Sequence, residues 1–376
     1  MNSRRYILLI SVFCLVAVFS SGCGEPGVWQ EPFPERLTIS VVDSIGIEMG
    51  DSCYVLGAIA DAEVTPSGTI LLLDRSARLI REFSSDGIHL SNMSRSGSGP
   101  GELSSPMEIS VMPDGMIMIM DFRKVAVVVL SEQGESLHDL TDWGFSIPTS
   151  LASLSDNRMA ALNLKFDIVD SEPLIVIQPS VFSILDGSLL LSLYSDTLTD
   201  SEFEEALASL NGLMGSTVVV SDGGSRIFYC HKSTSTYEIL CWNTEGNDLF
   251  SASLSIPPVE KTEQEIVDET EYTRMQFAAL GANGLPEGFA PDPFYMLVEN
   301  IGIDSSGNLW VQRGTEAQPV FDVFDTDGVH IASAEFPQSG RYWQFSITPN
   351  GCLAWNNDPL SGVQKVYMID LPVINI

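Results

Sequence analysis

The fold of this chain is decided by the stretch from Ser94 to Glu135, which reads SRSGSGPGELSSPMEISVMPDGMIMIMDFRKVAVVVLSEQGE. It contains a glycine-rich turn, a short strand, an Asp-Gly turn, an apolar strand that ends in Asp121, a second apolar strand and another polar turn. Weaker versions of this pattern recur along most of the chain. A strand-and-turn repeat of about 40 residues is typical of the blades of a β-propeller.

The turn between the first two strands of each unit is the clearest repeated feature. Gly or Asn in such a turn supplies the positive φ that a tight reversal requires. Six of these first turns occur, at residues 66–68, 113–115, 155–157, 221–223, 305–307 and 349–351. A second turn, which follows the third strand, occurs at 86–87, 133–134, 186–187, 245–246 and 327–328. The six first turns predict an all-β protein, a six-bladed β-propeller.

The strand-like runs are apolar throughout rather than alternating, and Val125–Leu130 is the clearest example. A strand of this composition must be buried on both faces. A propeller buries its strands in this way, because each blade lies between two neighbouring blades. A β-sandwich or a plain barrel is the alternative, but neither requires a repeat of this length.

A family resemblance rests on the segment Gly97–Glu102 ahead of a strand, followed by Asp114-Gly115 and then Asp121. This order resembles the six-bladed β-propeller family related to the NHL repeat. The likeness is sharp over residues 58–142, recognisable at 299–332 and poor over 143–298. Many members of that family are bacterial lipoproteins or secreted proteins of unassigned activity. The resemblance therefore implies a fold and a lipoprotein type, and it implies no reaction.

Residues 1–22 are predicted to be a lipoprotein-type signal peptide. Arg4 and Arg5 precede an apolar run over 6–19 that is too short for an ordinary membrane-spanning helix. The run ends in Ser20-Ser21-Gly22-Cys23, which resembles a bacterial lipobox, although Ser20 departs from the usual Leu. In a lipobox Cys23 would be diacylated; ordinary cleavage is the alternative. Residues 23–36 are interpreted as a tether, and 37–376 as the propeller.

The predicted location follows from the same segment. Gly24 rather than Asp follows the cysteine, so nothing here resembles the inner-membrane retention signal of Gram-negative lipoproteins. We expect a lipid-anchored protein of the cell envelope, at the outer membrane if the cell is Gram-negative, or a secreted protein. The lipid would be its only contact with the membrane.

The formal net charge of −32 limits the possible partners. Such a field repels nucleic acid and anionic lipid headgroups, so we expect no nucleic-acid partner. Cations or basic protein surfaces could be attracted, and solubility alone is the alternative reason for the charge. We expect a monomer without a cofactor, whose partner is an unknown protein or small ligand.

The strand-like segment Leu37–Met49 precedes the first blade. In closed propellers an N-terminal strand commonly completes the last blade, so that no sheet edge stays open. The last unit, residues 342–376, could accept this strand.

Cysteines are sparse. Cys230 and Cys241 flank the segment 233–236, a plausible hairpin reversal, and a disulfide between them is possible in an exported protein. Two buried free thiols are the alternative. A bridge between Cys53 and Cys352 has weaker support.

The third and fourth units are longer than the others. Residues 197–213 are interpreted as a short acidic helix, and a larger insertion spans about 257–298 between blades 4 and 5. In this insertion Thr262 and Glu265 form a capping box ahead of a predicted helix. Gly281 is a natural stop for this helix. We expect the side that carries Ile266, Phe277 and Leu280 to pack on the face of the ring around the fourth and fifth blades, and to border the functional site.

The candidate chemistry is limited. His89, His138 and His330 follow second turns, so we expect exposed residues near the rim, and His231 alone lies off the repeat. A zinc site or a histidine-based lyase site is therefore hard to assemble, and we assign no catalytic residue and no metal ligand. Asp74 and Asp121 recur at one position of the repeat, which predicts that each accepts backbone N–H groups in a loop.

The leading functional hypothesis is a binding or scaffold module for a protein partner or small ligand. Propellers present clustered loops around a central channel, and the fold alone implies no reaction. The alternative is a propeller enzyme of lyase or hydrolase type with a site on the face of the channel. The candidate ligand-binding residues are Arg123, His231, Phe294, Tyr295 and Trp343.

Overall fold

The computed structural model describes residues 32–33, 35–141, 143, 148–169, 172–199, 217–279, 284–285, 288–357 and 362–374. The predicted signal peptide, the lipidation site at Cys23 and most of the tether lie outside these ranges. For residues 164–169, 172–175 and 196–199 the backbone alone is described.

Two strands precede the first blade, β1 (Leu37–Thr38) and β2 (Ser40–Ile45). Blade 1 contains β3 (Ile59–Val64), β4 (Ile70–Asp74), β5 (Leu79–Phe83) and β6 (His89–Met93). Blade 2 contains β7 (Pro106–Val111), β8 (Ile117–Asp121), β9 (Ala126–Leu130) and β10 (Ser136–Leu140). Blade 3 contains β11 (Thr149–Ser153), β12 (Arg158–Val169), β13 (Glu172–Ser183), β14 (Leu189–Ser192) and β15 (Asp196–Thr199).

The second half of the chain repeats the arrangement. Blade 4 contains β16 (Thr217–Ser221), β17 (Arg226–His231), β18 (Tyr237–Asn243) and β19 (Asp248–Leu254), and helix α1 (Glu263–Ala279) follows it. Blade 5 contains β20 (Val298–Ile303), β21 (Leu309–Arg313), β22 (Val320–Phe324) and β23 (His330–Glu335). Blade 6 contains β24 (Trp343–Thr348), β25 (Gly351–Asn356) and β26 (Val366–Asp370).

These strands form six separate sheets. Within each blade successive strands pair antiparallel, except that β15 pairs with β13. The predicted six-bladed propeller, with a helical insertion between blades 4 and 5, is confirmed. The second strands carry much of the core, because β4, β8 and β21 are buried at every position. The clusters of buried side chains join neighbouring blades; one of them contains Trp310 and Phe321 of blade 5 with Phe345 of blade 6. The ring is thus stabilised mainly between blades.

The last blade is completed by the N-terminal strand. Strand β2 pairs antiparallel with β26, and Ser40 lies opposite Asp370. Strand β1 runs parallel to β23 of blade 5, and Ile39 between β1 and β2 is fully buried. The predicted closure of the ring is confirmed. Part of the predicted tether also contacts blade 5, because Arg36 pairs with Glu316 at 3.4 Å.

The six predicted first turns all join the first two strands of a blade. At five of them a residue has positive φ, as the sequence predicted: Gly68, Gly115, Asn157, Gly223 and Gly307. Gly351 differs, because it lies within β25 and is not among the residues with positive φ. A Cβ at this position would lie 2.8 Å from Val64 of blade 1. The glycine there allows two blades to approach closely.

The second-turn glycines do two things. All five have positive φ, and each turn also approaches the preceding blade. A Cβ on Gly134 would lie 2.7 Å from Met93 at the end of blade 1, and one on Gly328 would lie 2.4 Å from Phe250 of blade 4. These turns therefore fix the spacing between neighbouring blades.

The recurring aspartates have the predicted structural role. The Asp121 carboxylate accepts the backbone N–H groups of Ser104 at 2.6 Å, Ser105 at 3.1 Å and Lys124 at 3.0 Å. Asp74 similarly accepts the N–H groups of Gly57 and Ala77. Each carboxylate joins the loop that enters a blade to the loop after its second strand.

The glycine-rich turn has an equally local explanation. The Glu102 carboxylate folds back on the turn and accepts the N–H of Gly99 at 2.8 Å. A Cβ on Gly97 would overlap the Glu102 carboxylate. Lys124 donates to the carbonyl oxygen of Gly99 at 2.9 Å and to Asp139 at 2.5 Å. The motif that carries the family resemblance thus anchors a connection between blades 1 and 2.

At the beginning of the segment 197–213, residues 197–199 belong to strand β15, which pairs with β13. The predicted acidic helix, from near Asp200 to near Asn211-Gly212, lies outside the described residues. The structure corrects two expectations. Cys230 and Cys241 are free, because the strand register sets Cys241 opposite Phe228 and not opposite Cys230. His330 is not exposed at the rim, since it contacts the buried Asp322 at 3.1 Å and packs on Phe324.

Candidate functional site

Blade connectivity gathers the candidate residues on one face of the ring. In each blade the loop between the second and third strands and the connection to the next blade leave from the same face, because successive strands are antiparallel. Helix α1 belongs to such a connection, so we call this the insertion face. Arg123 and His231 lie at loops after second strands, and Phe294, Tyr295 and Trp343 lie at the starts of blades 5 and 6.

The central channel contains a cavity of about 610 Å³. The first strands of the blades line it, together with the first turns at one end and Lys232, Glu299 and Gln344 at the insertion face. Side chains in the channel also join neighbouring blades. Asp61 accepts the N–H of Ile109 at 3.0 Å, and Glu108 accepts the N–H of Leu151 at 3.2 Å.

The channel carboxyl groups are shifted towards their protonated forms. Desolvation raises the pKa of Asp61 to about 7 and that of Glu108 to about 6. It also raises the pKa of Glu63 well above its usual value, helped by the neighbouring Asp61 charge. Glu63 accepts the N–H of Val111 in blade 2 at 2.9 Å. Because the same groups hold adjacent blades together, their first role is structural.

A second cavity, of about 590 Å³, lies between helix α1 and blades 5 and 6. We call it the insertion cavity. Its lining combines charged, amide and tyrosine side chains from the insertion, from blade 5 and from the connection between blades 5 and 6. They include Lys261, Glu265, Glu269, Tyr272, Tyr295, Glu299, Gln312, Arg313, Glu316, Arg341, Tyr342 and Gln344.

Helix α1 begins at the predicted capping box. The Glu265 carboxylate accepts the N–H of Thr262 at 2.9 Å, and the Thr262 hydroxyl in turn accepts the N–H of Glu265 at 3.3 Å. The insertion is also tied at its base, because Lys261 donates its N–H to Pro293 and Tyr295 donates its N–H to Val259. Leu280 and the predicted stop at Gly281 lie outside the described residues. The insertion is an ordered appendage. We call its base, where residues 259–261 bond to residues 293–295, the neck.

The helix contacts the ring through polar and aromatic side chains. Tyr272 stacks on Tyr342 with ring centroids 3.8 Å apart, and Glu265 pairs with Arg341 at 2.7 Å. Ile266 and Phe277 are half-buried, and the buried side chain between them is Thr273. The expected site of docking, around blades 4 and 5, is therefore corrected to blades 5 and 6. Arg341 and Tyr342 are the partners that determine this position.

Tyr295 is at the centre of the charged side chains of the insertion cavity. The Arg341 guanidinium lies 4.1 Å from the centre of its ring, and Lys261 lies 5.4 Å away. Its buried hydroxyl has no partner of ordinary hydrogen-bond geometry among the described residues, yet it lies close enough to Glu265 to lower the pKa of that carboxyl. Together with the Thr262 N–H and Arg341, it holds the Glu265 pKa at about 2. Glu265 is therefore a permanent anion in neutral solution.

Gln312 is the second unusual residue of this cavity. It is 3% exposed, and within the described part of the chain its Oε1 has no hydrogen-bond partner. A buried acceptor without a donor is costly, by about 1–3 kcal/mol. The side chain lines the insertion cavity. A bound molecule with an N–H or O–H group would satisfy it.

The sequence-predicted candidates separate in the structure. Tyr295 lines the insertion cavity, with Phe294 partly exposed beside it in the chain. Trp343 is buried and donates to the carbonyl oxygen of Ser339 at 3.2 Å, so it supports the cavity from the core. Arg123 is exposed on the loop of blade 2, and His231 is exposed at the end of β17. Neither residue is among those lining the two cavities.

The sequence did not predict Gln312, Glu299 or Arg341. Gln312 and Glu299 come from two strands of blade 5 and Arg341 from the connection to blade 6, and no local pattern relates them. One signal was available for Glu299. It lies at a bulge of β20, between Val298 and Asn300, where the first strands of blades 1 and 2 carry Ala60 and Met107. An acidic residue at this position is a departure from the repeat.

The fold and this site define a six-bladed β-propeller whose helical insertion covers a polar cavity on one face. No protein-family model matches the sequence, and no curated protein matches it. The NHL-repeat likeness and the lipoprotein type stay predictions. The described residues contain no helix long and apolar enough to cross a membrane. Among the same residues no group of three or more His, Cys, Asp or Glu is placed to hold a metal ion.

Solved structures share the fold. A member of the DUF4221 family from Bacteroides vulgatus has 11% identity and a TM-score of 0.50, over 89% of this chain and 98% of that one. A Bacteroides fragilis protein described as exported has 11% identity and a TM-score of 0.52, over 89% and 96%. A virginiamycin B lyase from Staphylococcus aureus has 9% identity and a TM-score of 0.46, over 88% and 99%, which carries no argument about a reaction.

Proposed function

We propose that this protein is an exported, lipid-anchored binding module, and that its ligand or partner occupies the insertion cavity. The observation that carries the proposal is the buried Gln312, which lines a cavity of about 590 Å³ beneath helix α1 and whose Oε1 has no hydrogen-bond partner among the described residues. A cavity of this size is within the usual range for a small-molecule site, and its polar side chains would fix the orientation of a ligand.

The construction of the insertion supports the same role. Helix α1 contacts the connection between blades 5 and 6 through the Glu265–Arg341 ion pair and the Tyr272–Tyr342 stack, and the backbone bond of Lys261 to Pro293 closes the base of the insertion. The blades do not need the insertion for their pairing, since β19 and β20 belong to separate complete sheets. An appendage that the ring does not need, and that encloses a polar space, is suited to recognition.

Anchoring through Cys23 and export belong to this proposal as well. They rest on the N-terminal sequence, in which Arg4 and Arg5 and an apolar run precede the lipobox-like Ser20-Ser21-Gly22-Cys23. Cys23→Ser is expected to move the protein from the membrane fraction to the soluble fraction. Unchanged membrane association of that variant would contradict the anchor.

The test of binding is a thermal-shift screen of the full chain against polar compounds of several classes: sugars, amines, amino acids and organic acids. A compound that raises Tm is then tested on Tyr272→Ala and Gln312→Leu, which alter the cavity. Val267→Ala is the matched control, because Val267 is exposed on the same helix. We expect the shift to persist in the control and to disappear in both cavity variants.

A third variant places a short Gly-Ser linker at residues 262–291 and keeps the neck formed by Lys261 and Pro293. Its blades are expected to fold, since each blade is stabilised mainly by its neighbours. It should not bind the compound. A ligand-induced shift that persists in this variant would place the site elsewhere and contradict the proposal.

The competing proposal is a lyase- or hydrolase-type enzyme with its site in the channel. The pKa values of Asp61 and Glu108, about 7 and about 6, are suitable for acid–base chemistry. Their bonds to backbone N–H groups of the next blade explain the same carboxyl groups structurally, so binding is the preferred function. The enzyme would be favoured if the protein turns over a compound from the screen, and if Glu108→Gln loses this turnover while Gln312→Leu keeps it.

A further inference from the structure

We infer that the insertion cavity binds a cationic organic group, a primary amine or a guanidinium, held between Glu299 and Gln312. This inference rests on the proposed function, because it names the chemistry of the ligand for the same cavity. The group could belong to a small amine or to a Lys or Arg side chain of a peptide, and both sources share this chemistry.

Charge pairing in the cavity lining excludes an anion. Its three basic side chains are Lys261, Arg313 and Arg341. Lys261 pairs with Glu269 at 2.6 Å, Arg341 with Glu265 at 2.7 Å, and Arg313 with Asp322 at 2.5 Å. Each cation is therefore neutralised by a carboxylate that is already in contact. A ligand carboxylate or phosphate would have to displace one of these partners.

The carboxylates are in excess, and among the described residues Glu299 has only a long ion pair with a cation. The lining includes Glu265, Asp268, Glu269, Glu299 and Glu316. Glu299 lies 3.6 Å from Lys232, beyond hydrogen-bond distance, and its side chain is 39% exposed. The residue lines both the channel and the insertion cavity, so it lies where the two meet. A bulge in β20 sets its position, and bulges re-aim side chains in this way.

Gln312 supplies an acceptor beside this carboxylate. In the pairing of β20 with β21, Val298 lies opposite Arg313 and Asn300 lies opposite Gln312, so the unpaired Glu299 of the bulge lies between these two pairs, next to Gln312. The unpartnered Oε1 of Gln312 requires a donor, and an ammonium or guanidinium has several. A carboxylate and an amide oxygen on adjacent strands are a suitable pair of acceptors for one cationic group.

Tyrosines complete the cavity. Tyr295 already has Arg341 at 4.1 Å and Lys261 at 5.4 Å from its ring centre, which is the geometry of a cation–π contact. Tyr272 and Tyr342 are stacked close by on the same lining. The net charge of −32 on the whole chain also raises the local concentration of cations.

The experiment is calorimetric titration of the full chain with four probes. Spermidine and trilysine carry the cationic group, maltotriose is neutral, and citrate is an anion. The variants are Glu299→Gln and Gln312→Leu, with Glu132→Gln as the matched control, since Glu132 is exposed at a second turn of blade 2. All titrations are made at low and at physiological salt.

We expect at least one of the two amines to bind at physiological salt. Each cavity variant should weaken that binding about tenfold or more, the equivalent of one hydrogen bond to a charged group, while Glu132→Gln binds as the unaltered chain does. Binding of trilysine alone identifies a peptide as the source, and binding of spermidine alone identifies a free amine; either result upholds the inference. Glu299→Gln replaces a partly exposed side chain, so the test does not depend on the folding of Gln312→Leu.

Three results would overturn the inference. The first is that maltotriose or citrate binds and neither amine does. The cavity would then still be a ligand site, but its ligand would not be a cation. The second is that the amines bind all three variants equally and that this binding disappears at physiological salt. Such binding would come from the general negative charge of the surface and not from the cavity. The third is no binding of any probe. The proposed function itself fails separately, when a ligand from the wider screen still binds after the insertion is replaced.

Discussion

At the scale of single residues, the propeller depends on carboxylates that accept backbone N–H groups in loops. Asp121 is fully buried and joins three N–H groups from two loops. Its position was predicted from the repeat because such local side-chain-to-backbone bonds depend on sequence spacing. The same reasoning failed for His330, because its contact with Asp322 depends on how neighbouring strands pack rather than on its distance from the turn.

Asp121→Ala is expected to destabilise the protein by about 2–4 kcal/mol, because it leaves buried N–H groups without an acceptor. Urea unfolding measures this change in the free energy of unfolding. Asp114→Ala, at an exposed first turn, is the matched control and should change stability little. Equal stability of the two variants would show that water replaces the Asp121 carboxylate.

A second residue-scale prediction concerns pH. The pKa of Asp61 is about 7 in the folded protein, well above its ordinary value of 3.8, so the native chain binds more protons than the unfolded chain between about pH 4 and 7. The stabilising effect of protonation is fully present below the unfolded pKa and is lost as pH rises through 7. Tm should therefore be higher at pH 5 than at pH 7.5.

Asp61→Asn should reduce this difference in Tm, because the amide cannot titrate and still accepts the N–H of Ile109. Asp114→Asn serves as its control. If Asp61→Asn has the same pH dependence as the unaltered chain, the dependence arises from other groups in the channel or from the general negative charge.

At the scale of elements, close approach between blades depends on glycines that the sequence marked only as turns. The positive φ of the first turns could be predicted, because it is a local requirement. The proximity of Gly351 to Val64 could not, since it depends on how blade 6 meets blade 1. The insertion shows the same division. Its capping box was predicted from Thr262 and Glu265, whereas its docking on Arg341 and Tyr342 depends on a distant connection.

Gly351→Ala is expected to cost about 1–3 kcal/mol, because the added methyl group would overlap Val64 and force the two blades apart. Gly224→Ala is the matched control: a Cβ there meets no atom within 4 Å, and its φ is not positive. Thermal or urea unfolding of both variants measures the difference. A neutral effect of Gly351→Ala would mean that blade 1 moves away without cost.

At the scale of the whole molecule, the ring is closed by the pairing of β2 with β26. The sequence predicted this closure from a strand-like segment ahead of the first blade, because a propeller with an open blade exposes a sheet edge. The two cavities could not be predicted at this scale. Their linings combine residues from several blades, and a single sequence does not relate residues so far apart.

Removal of residues 24–46 should destabilise the ring strongly, because it exposes the edge of β26 and removes the buried Ile39 and Ile45. Calorimetry measures the loss as a fall in Tm. The matched truncation removes only 24–31 and keeps Arg36 and both N-terminal strands. If the longer truncation melts like the shorter one, the closing strand contributes little to the stability of the folded ring.

The pairing of Ser40 with Asp370 also determines when the ring can close during synthesis of the chain. Ribosomes make β2 among the first strands and β26 last, so the first strand has no partner until almost the whole chain has been made. Native contacts between such distant segments form slowly. The closed state therefore cannot arise during elongation. If the chain is exported as proposed, the ring would stay open until β26 has crossed the translocon and can pair with β2, which crossed first.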